Sequence, residues 1–302
     1  MTDTYLPRRR ATPRRLAVRG LHYQLNVWGD PAESSRPLLL MMHGFMDVGA
    51  SFQFVVDAMS DPRCVIAPDW RGFGGSAAPA GTDSYWFPDY LGDLDALLDA
   101  LSPGRPVDLL GHSMGGNVVM SYAGVRPQRI RRLVNLEGFG LPDAAPDAAP
   151  QRLAQWLDQL REPRSLRPYP SLAAVAQRLQ RNNPRLAADK AHWLAGQWAE
   201  QRADGQWQLR ADAAHKRSNP VPYRAAEVVA AWSRISAPLL WVEGSHSRPA
   251  AHWGGRYSQA EFNTRLARVP QVTRVVLADA GHMLHHDQPQ ALAAQLDAFL
   301  AG

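Results

Sequence analysis

Short apolar runs alternate with amphipathic stretches along much of the chain, which is the pattern of a sheet whose strands are joined by helices. The apolar runs have the length of buried strands and lie at 38–43, 64–69, 107–112 and 130–136. Helical periodicity separates them, at about 50–59, 87–101 and 114–125. The pattern predicts an α/β fold with right-handed crossovers, a mostly parallel central sheet and helices on both of its faces.

The ends of the chain extend this sheet. Two short stretches at 16–18 and 22–28 predict an antiparallel hairpin ahead of the first buried strand. The strand pattern returns at 238–244 and 273–278, and a helix at 289–300 follows it. We therefore expect the late strands to complete the same sheet.

The alternation stops between residues 142 and 225. This segment begins with a stretch rich in proline and alanine and contains no convincing strand. Helical patterns follow at about 151–161, 171–181, 184–201 and 208–216. We predict that 142–225 is a helical cap inserted into a core made of 16–141 and 226–302.

Composition narrows the class of protein. Of the 302 residues, 45% are hydrophobic, which is enough for a large core. The longest apolar runs fall well short of the ~18 residues that a transmembrane helix needs, so we expect no membrane span. Cys64 is the only cysteine, and residues 1–15 lack the apolar segment of a secretory signal. Both observations favour a cytoplasmic protein.

The net charge of +5 comes almost entirely from arginine. The arginines are scattered, except for a group between Arg8 and Arg15. We expect residues 1–15 to form a basic, disordered leader, as terminal segments often do. No basic helix interleaved with aromatic residues is evident, so we expect no nucleic-acid partner.

A serine lies at a sharp turn between a predicted strand and a predicted helix. Residues 111–116 read Gly-His-Ser-Met-Gly-Gly, which is a Gly-x-Ser-x-Gly nucleophile elbow in the context that the motif requires. Gly111 and Gly115 permit the tight turn. The turn lifts Ser113 Oγ clear of the sheet and brings a helix N-terminus beside any oxyanion that forms there.

Three further motifs accompany the elbow, and with them the chain resembles the α/β-hydrolase family over roughly residues 16–300. The motifs are His43-Gly44, Asp69-x-Arg71-Gly72-x-Gly74-x-Ser76 and Gly281-His282. Within that family the run at 136–142, Leu-Glu-Gly-Phe-Gly-Leu-Pro, is most similar to the serine-hydrolase-like branch. The resemblance implies an α/β-hydrolase fold with an inserted helical cap.

The resemblance also implies roles for particular residues. Ser113 is expected to be the nucleophile and His282 the general base that accepts its proton. The backbone N–H groups of Phe45 and Met114 are expected to form the oxyanion hole. Asp69 and Arg71 are expected to form a buried ion pair that braces the loop after their strand.

The triad acid departs from the commonest pattern of the family. Most relatives carry an aspartate three residues after the glycine that ends the penultimate strand, and this chain has Ser247 at that place. Some relatives instead take the acid from the end of the preceding strand, and Glu137 lies there, 24 residues after Ser113. Strand-end carboxylates on that side of a parallel sheet lie where active sites form. We favour Glu137 as the acid and keep Glu243 as the alternative.

A serine nucleophile with a histidine base suits acyl transfer to water, so we expect a carboxylesterase-like hydrolase of esters, thioesters or lactones. Two alternatives remain open. One is hydrolysis of a C–C bond in a diketone-like metabolite by the same residues, and the other is a non-catalytic small-molecule receptor on the same fold.

The partner we expect is a small molecule with an apolar acyl group, because aromatic residues of the cap suit an apolar pocket. They are Trp156, Tyr169, Trp193, Trp198, Trp207 and Tyr223, and we expect only one or two of them to contact substrate. The ten histidines show no metal-binding spacing, so we expect no metal and no cofactor. His112 should point away from the reacting centre, and His285 and His286 should be packed or solvated.

Overall fold

The computed structural model describes residues 4–78 and 81–302. Its strands are β1 Thr12–Val18, β2 Leu21–Trp28, β3 Leu39–Met42, β4 Val65–Pro68, β5 Val107–His112, β6 Ile130–Leu136, β7 Ala199–Gln201, β8 Trp207–Leu209, β9 Leu239–Gly244 and β10 Val272–Leu277. Eight of them form one sheet in the order β1-β2-β4-β3-β5-β6-β9-β10. Strand β2 runs antiparallel to β1 and β4, and the other neighbours are parallel. The mostly parallel sheet is therefore confirmed.

Helices cover both faces of this sheet. They are α1 Gln53–Ala58, α2 Phe87–Leu101, α3 Met114–Val125, α4 Ala149–Leu160, α5 Leu172–Asn182, α6 Ala188–Trp198, α7 Ala225–Trp232, α8 Pro249–His252, α9 Gln259–Leu266, α10 Leu284–Asp287 and α11 Pro289–Ala301. One face packs against α2, α3, α7 and α9, and the opposite face packs against α1 and α11. None of the helices in the described part of the chain is long and apolar enough to cross a membrane.

The period of two along each strand explains the two cores. In β3, Leu40 belongs to the cluster under α2 and α3, whereas Leu39 and Met41 belong to the cluster under α1 and α11. Leu109 and Leu110 of β5 divide in the same way. Because successive side chains of a strand point to opposite faces, a strand buried on both faces has to be apolar throughout. This is the origin of the continuous apolar runs in the sequence.

The inserted segment departs from the all-helical prediction. Helices α4, α5 and α6 are present, but the helix predicted at 184–201 ends at Trp198, and the one predicted at 208–216 is absent. In their place β7 and β8 form an antiparallel hairpin, followed by a short 3₁₀ turn at Ala213–Lys216. Gly205 has a φ of 80° in the turn between β7 and β8, which lets the chain reverse and pair with itself. Strands as short as β7 and β8 contain too few residues for the alternation of polar and apolar positions to be recognised in the sequence.

The disordered leader predicted over residues 1–15 is wrong for residues 4–15. Strand β1 begins at Thr12, not at residue 16, and pairs with β2 along its whole length. Upstream, Tyr5 Oη donates to the carboxylate of Asp57, and the N–H groups of Arg8 and Arg9 donate to it at 2.9 and 2.7 Å. A largely buried carboxylate needs such donors, and the leader provides them. Residues 1–3 lie outside the described residues.

Candidate active site

The predicted elbow is present where β5 ends and α3 begins. Ser113 lies between His112, the last residue of β5, and Met114, the first of α3, with φ 52° and ψ −114°. A Cβ on Gly111 would come within 2.4 Å of the Gly115 carbonyl oxygen, so the turn accepts no larger residue there. A non-glycine residue at positive φ costs about 1–3 kcal/mol and persists only where its surroundings enforce it. The strained turn exposes the serine hydroxyl at the edge of the sheet.

His282 joins this serine to a carboxylate. The histidine follows β10, and its Nε2 lies 2.9 Å from Ser113 Oγ. Its Nδ1 lies 2.8 Å from Glu137 Oε2. With Nδ1 protonated toward the carboxylate, the Nε2 lone pair faces the serine hydroxyl and can accept its proton.

Glu137 comes directly after β6 and has a φ of 57°. This conformation turns its side chain out of the strand path and toward His282. The carboxylate is buried, and its second oxygen, Oε1, accepts the N–H of Gly244 at 2.7 Å and the hydroxyl of Ser247. Both oxygens therefore have partners, which holds the carboxylate in one orientation.

Glu243 lies elsewhere. It is part of β9, where its Oε2 accepts the indole N–H of Trp241 at 2.9 Å and its Oε1 lies 3.5 Å from Arg274 on β10. Of the two acidic candidates, the structure brings Glu137 to His282, while Glu243 pairs with its neighbours in the sheet.

Ser247 is a residue of the site whose position the sequence analysis noted but whose contact it missed. It occupies the place of the usual aspartate, and its hydroxyl donates to Glu137 Oε1. The available signal was chemical: a serine at that position brings a hydrogen-bond donor where most relatives have a carboxylate acceptor, which suits contact with an acid that comes from elsewhere. Nothing in the linear sequence relates residues that lie 110 positions apart.

His43 braces the loop that carries Phe45. Its Nε2 accepts the N–H of Trp70 at 2.8 Å, and its Nδ1 lies 2.8 Å from the Gly44 carbonyl oxygen. Burial lowers the pKa of His43 to about 3, so the ring is neutral and Nδ1 carries its proton. Phe45 and Met114 both line the cavity above Ser113, and their role as oxyanion-hole donors stays a prediction.

The expected ion pair between Asp69 and Arg71 is wrong. Asp69 accepts the N–H groups of Gly49 and Gly75 at 2.7 and 2.8 Å, and burial raises its pKa to about 6. Arg71 instead donates to Asp93 at 2.6 Å. Arg71 lies in the turn after β4, and its guanidinium there contacts Asp93 on α2 instead of Asp69.

A cavity of about 950 Å³ opens above Ser113 and His282. Its apolar lining comes mainly from the core, with Phe45, Trp86, Phe87, Phe139, Leu141, Val228, Trp232 and Trp253. Of the six cap aromatics named from the sequence, Tyr223 lines the cavity. Trp193 and Trp198 belong to the hydrophobic cluster of α5 and α6, and Trp156 donates its indole N–H to Ser84 at 2.9 Å.

Comparison with known proteins agrees with the sheet and the elbow. The family profile described as "alpha/beta hydrolase fold" matches residues 37–289, which covers most of the chain. The chain belongs to the α/β-hydrolase family. The members of this family that it resembles differ in the reactions their names describe.

Three curated relatives illustrate this range. A 3-hydroxybutyrate-oligomer hydrolase from Cupriavidus necator is 28% identical, covering 91% of this chain and 92% of its own length. A serine hydrolase-like protein from Dictyostelium discoideum is 22% identical, covering 93% of this chain and 79% of its own. A cis-3-alkyl-4-alkyloxetan-2-one decarboxylase from Shewanella oneidensis is 36% identical, but over only 48% of this chain and 44% of that protein.

Solved structures of this hydrolase family superpose over nearly the whole chain. The thioesterase domain from the curacin biosynthetic pathway matches with a TM-score of 0.81 at 26% identity, covering 95% of this chain and 99% of that one. The α/β-hydrolase fold predicted from the motifs is therefore confirmed.

Proposed function

We propose that this α/β-hydrolase cleaves carboxylic esters, including thioesters and lactones, through an acyl-enzyme on Ser113. The observation that carries the proposal is the continuous hydrogen-bonded series from Ser113 through His282 to Glu137, with distances of 2.9 and 2.8 Å, at the floor of an apolar cavity. The same arrangement serves acyl transfer on several unrelated folds.

In the first half of the proposed reaction, Ser113 Oγ attacks the ester carbonyl carbon while His282 Nε2 takes its proton. The carbonyl oxygen becomes an oxyanion, which accepts hydrogen bonds from the backbone N–H groups of Phe45 and Met114. Each such donor stabilises the transition state by about 3 kcal/mol. His282 then gives its proton to the departing alkoxide, which leaves the acyl group on Ser113.

In the second half a water molecule replaces the alcohol. His282 Nε2 accepts a proton from this water, the resulting hydroxide attacks the acyl carbon, and the proton returns to Ser113 Oγ as the acid departs. Glu137 keeps the Nδ1 proton of His282 in place and stabilises the imidazolium in both halves. Its role is positional and electrostatic, since it accepts a hydrogen bond throughout.

The lining of the cavity favours an apolar acyl or alcohol group. The relative from Cupriavidus necator is named for hydrolysis of 3-hydroxybutyrate oligomers, which are esters between hydroxy acids. We therefore include such oligomers beside simple esters as candidate substrates. We also propose that 142–225 is a cap on a core of 16–141 and 226–302, since residues from both parts line the cavity.

The test combines turnover with covalent labelling. The wild-type protein should hydrolyse p-nitrophenyl esters of graded acyl length and should be labelled by a fluorophosphonate on Ser113. Ser113→Ala should lose about six orders of magnitude in kcat, as removal of a serine nucleophile does in subtilisin. Ser121→Ala, a cavity serine on α3 at a distance from His282, is the matched control.

Three results would contradict the proposal. Labelling that persists in Ser113→Ala would place the nucleophile elsewhere. Labelling of Ser113 with no ester turnover would favour hydrolysis of a C–C bond by the same residues. Binding of an ester analogue without labelling or turnover would favour a receptor.

A further inference from the structure

Three buried side chains converge behind the catalytic histidine. They are Asp47 in the loop after β3, His112 at the end of β5 and His285 in α10, and we call them the Asp47 cluster. Their relative exposures are 2%, 2% and 0%. One nitrogen or oxygen of each residue lies within 4.8 Å of the corresponding atoms of the other two.

The converging atoms have no hydrogen-bond partner among residues 4–78 and 81–302. Asp47 Oδ2, His112 Nδ1 and both ring nitrogens of His285 make no hydrogen bond within the described part of the chain. Each residue offers one atom to the cluster, and His285 Nε2 lies 3.9 Å from Asp47 Oδ2. A buried polar atom without a partner costs about 1–3 kcal/mol. Three such atoms within 4.8 Å of one another call for a shared partner, which is either a bridging water molecule or an ion.

The remaining atoms of Asp47 and His112 do have partners, which fixes their orientation. His112 Nε2 lies 2.8 Å from the carbonyl oxygen of His282 and must donate its proton to it, so His112 Nδ1 presents a lone pair. Asp47 Oδ1 accepts the Val48 N–H at 2.8 Å and the hydroxyl of Ser51, which leaves Oδ2 facing the cluster. A histidine that donates its other N–H to a carbonyl, beside a carboxylate that is itself hydrogen-bonded, is the usual surrounding of metal ligands.

The geometry points to a metal ion. We propose that Asp47, His112 and His285 bind one divalent transition-metal ion of the Zn²⁺ class, with a water molecule completing the tetrahedron. Two imidazoles and one carboxylate are a common ligand set for such ions. Bonds of about 2.0 Å place tetrahedral ligand atoms about 3.3 Å apart, so binding requires the three atoms to approach by no more than about 1.5 Å.

The role assigned to this site is structural. Within the described residues, none of the three lines the cavity above Ser113, so the ion does not touch substrate. His112 connects it to the His282 backbone through the 2.8 Å hydrogen bond, and the rings of His112 and His282 lie 4.9 Å apart. The ion would therefore hold the loop that carries His282 and stabilise the folded chain.

The test measures metal content, independently of ester hydrolysis. The full chain is produced without a histidine tag in medium supplemented with Zn²⁺, and bound metal is measured by elemental mass spectrometry after gel filtration. We expect about one Zn²⁺ per chain in the wild type and in Ser113→Ala. His285→Gln and Asp47→Asn should lower the Zn²⁺ affinity by about 100-fold or more, since removal of even a supporting partner of a ligand costs about 10–100-fold.

His22→Gln is the matched control, because His22 is exposed on β2 and the substitution should leave the metal content unchanged. Added Zn²⁺ should raise the melting temperature of the chelator-treated wild type and leave that of His285→Gln unchanged. If the two cluster variants fail to fold, the visible spectrum of Co²⁺-loaded wild type replaces them, with an intense four-coordinate band expected.

If the wild type retains no more Zn²⁺ than His285→Gln, the proposal is overturned. The cluster would then hold a bridging water molecule. A Co²⁺ spectrum like that of the aqueous ion, or Co²⁺ lost on gel filtration, would also overturn the proposal. Loss of metal in His22→Gln would place the metal at a different site.

Discussion

The ends of β6 and β9 lie side by side in the sheet, and each carries a glutamate. The two side chains make different contacts. Glu137 follows the last residue of β6, has left the extended conformation with a φ of 57°, and reaches His282. Glu243 is still within β9, opposite Val276 of β10, and its side chain pairs with Trp241 and Arg274. Glu137 lies one residue beyond the hydrogen-bonded strand, whereas Glu243 is still within its strand. This difference leaves the Glu137 carboxylate free to turn toward His282.

The two carboxylates also differ in what surrounds them. Glu137 is fully buried and accepts hydrogen bonds at both oxygens, whereas the Glu243 side chain is 17% exposed. Three donors surround the Glu137 carboxylate and hold it in one position. The two glutamates therefore differ in burial and in where their donors come from: those of Glu137 include His282, whereas those of Glu243 are neighbours in the sheet.

The largest effect expected from this comparison is a difference in turnover between Glu137→Gln and Glu243→Gln. In Glu137→Gln, the N–H of Gly244 and the hydroxyl of Ser247 hold the amide oxygen, so the amide nitrogen faces His282 Nδ1. The histidine must then carry its proton on Nε2 and cannot accept one from Ser113. The analogous change in a serine protease lowers kcat by about 10⁴, and we expect a loss of at least about 100-fold here.

Glu243→Gln is the matched control on the neighbouring strand, and we expect it to change kcat by less than about threefold, in line with substitutions outside the catalytic hydrogen bonds. Both variants are assayed on one p-nitrophenyl ester at saturation. The reverse ranking would transfer the acid to Glu243, and two small effects would mean that Ser113 and His282 work without a carboxylate.

The elbow around Ser113 could be predicted from the sequence because its parts are local in the chain. The elbow needs a strand, two glycines and a helix within about fifteen residues, and the apolar runs on either side identify them. Glu137 could be proposed because strand ends of a parallel sheet meet at one edge. The cap hairpin and the Arg71–Asp93 pair could not be predicted, since they depend on where α6 ends and on which helix packs against the loop.

The Asp47 cluster shows a different limit. Its three residues come from a loop, a strand end and a short helix, and no two of them have the close spacing of a metal motif. The expectation of no metal was drawn from that spacing alone. Only the fold brings these residues together, because β3 and β5 are neighbours and the ring of His285 on α10 lies 4.4 Å from that of His112.

The second prediction moves the acid from Glu137, at the end of β6, to residue 247, in the loop after β9. In the double variant Glu137→Gln/Ser247→Asp, the new carboxylate takes the place that most relatives use. Since Ser247 already contacts the carboxylate of Glu137, an aspartate there can approach His282 Nδ1. We expect kcat to recover by about tenfold or more relative to Glu137→Gln, because a carboxylate again fixes the histidine tautomer.

The rescue is read as the ratio of the two kcat values at equal folded fraction, checked by circular dichroism. Glu137→Gln/Ser247→Asn is the isosteric control without a charge and should show no recovery. Equal rates for the aspartate and asparagine double variants would show that charge at residue 247 does not reach the histidine.

A smaller effect is expected from Ser247→Ala alone. The substitution removes one donor from Glu137 Oε1 and leaves the Gly244 N–H in place, so the carboxylate becomes less firmly positioned. Loss of a hydrogen bond to a charged group corresponds to about 1.5 kcal/mol, or roughly tenfold in kcat, with little change in KM. In the Glu137→Gln background the same substitution should cost less than about twofold, because the two residues act as one unit. An equal loss in both backgrounds would assign Ser247 a role that does not pass through Glu137.

The smallest expected effect concerns stability at the end of β9. Glu243→Gln removes the charge that faces Arg274 and keeps an oxygen for the Trp241 N–H. The pair is 3.5 Å apart and partly exposed to solvent, so its contribution is screened and should be below about 1 kcal/mol. Urea unfolding should therefore show nearly equal midpoints for wild type, Glu243→Gln and Arg274→Gln, with a coupling energy of about 0.5 kcal/mol in the double-mutant cycle. A coupling energy several times larger would mean that Glu243 is held by its partners as strongly as Glu137 is. The two glutamates would then differ only in where their side chains point.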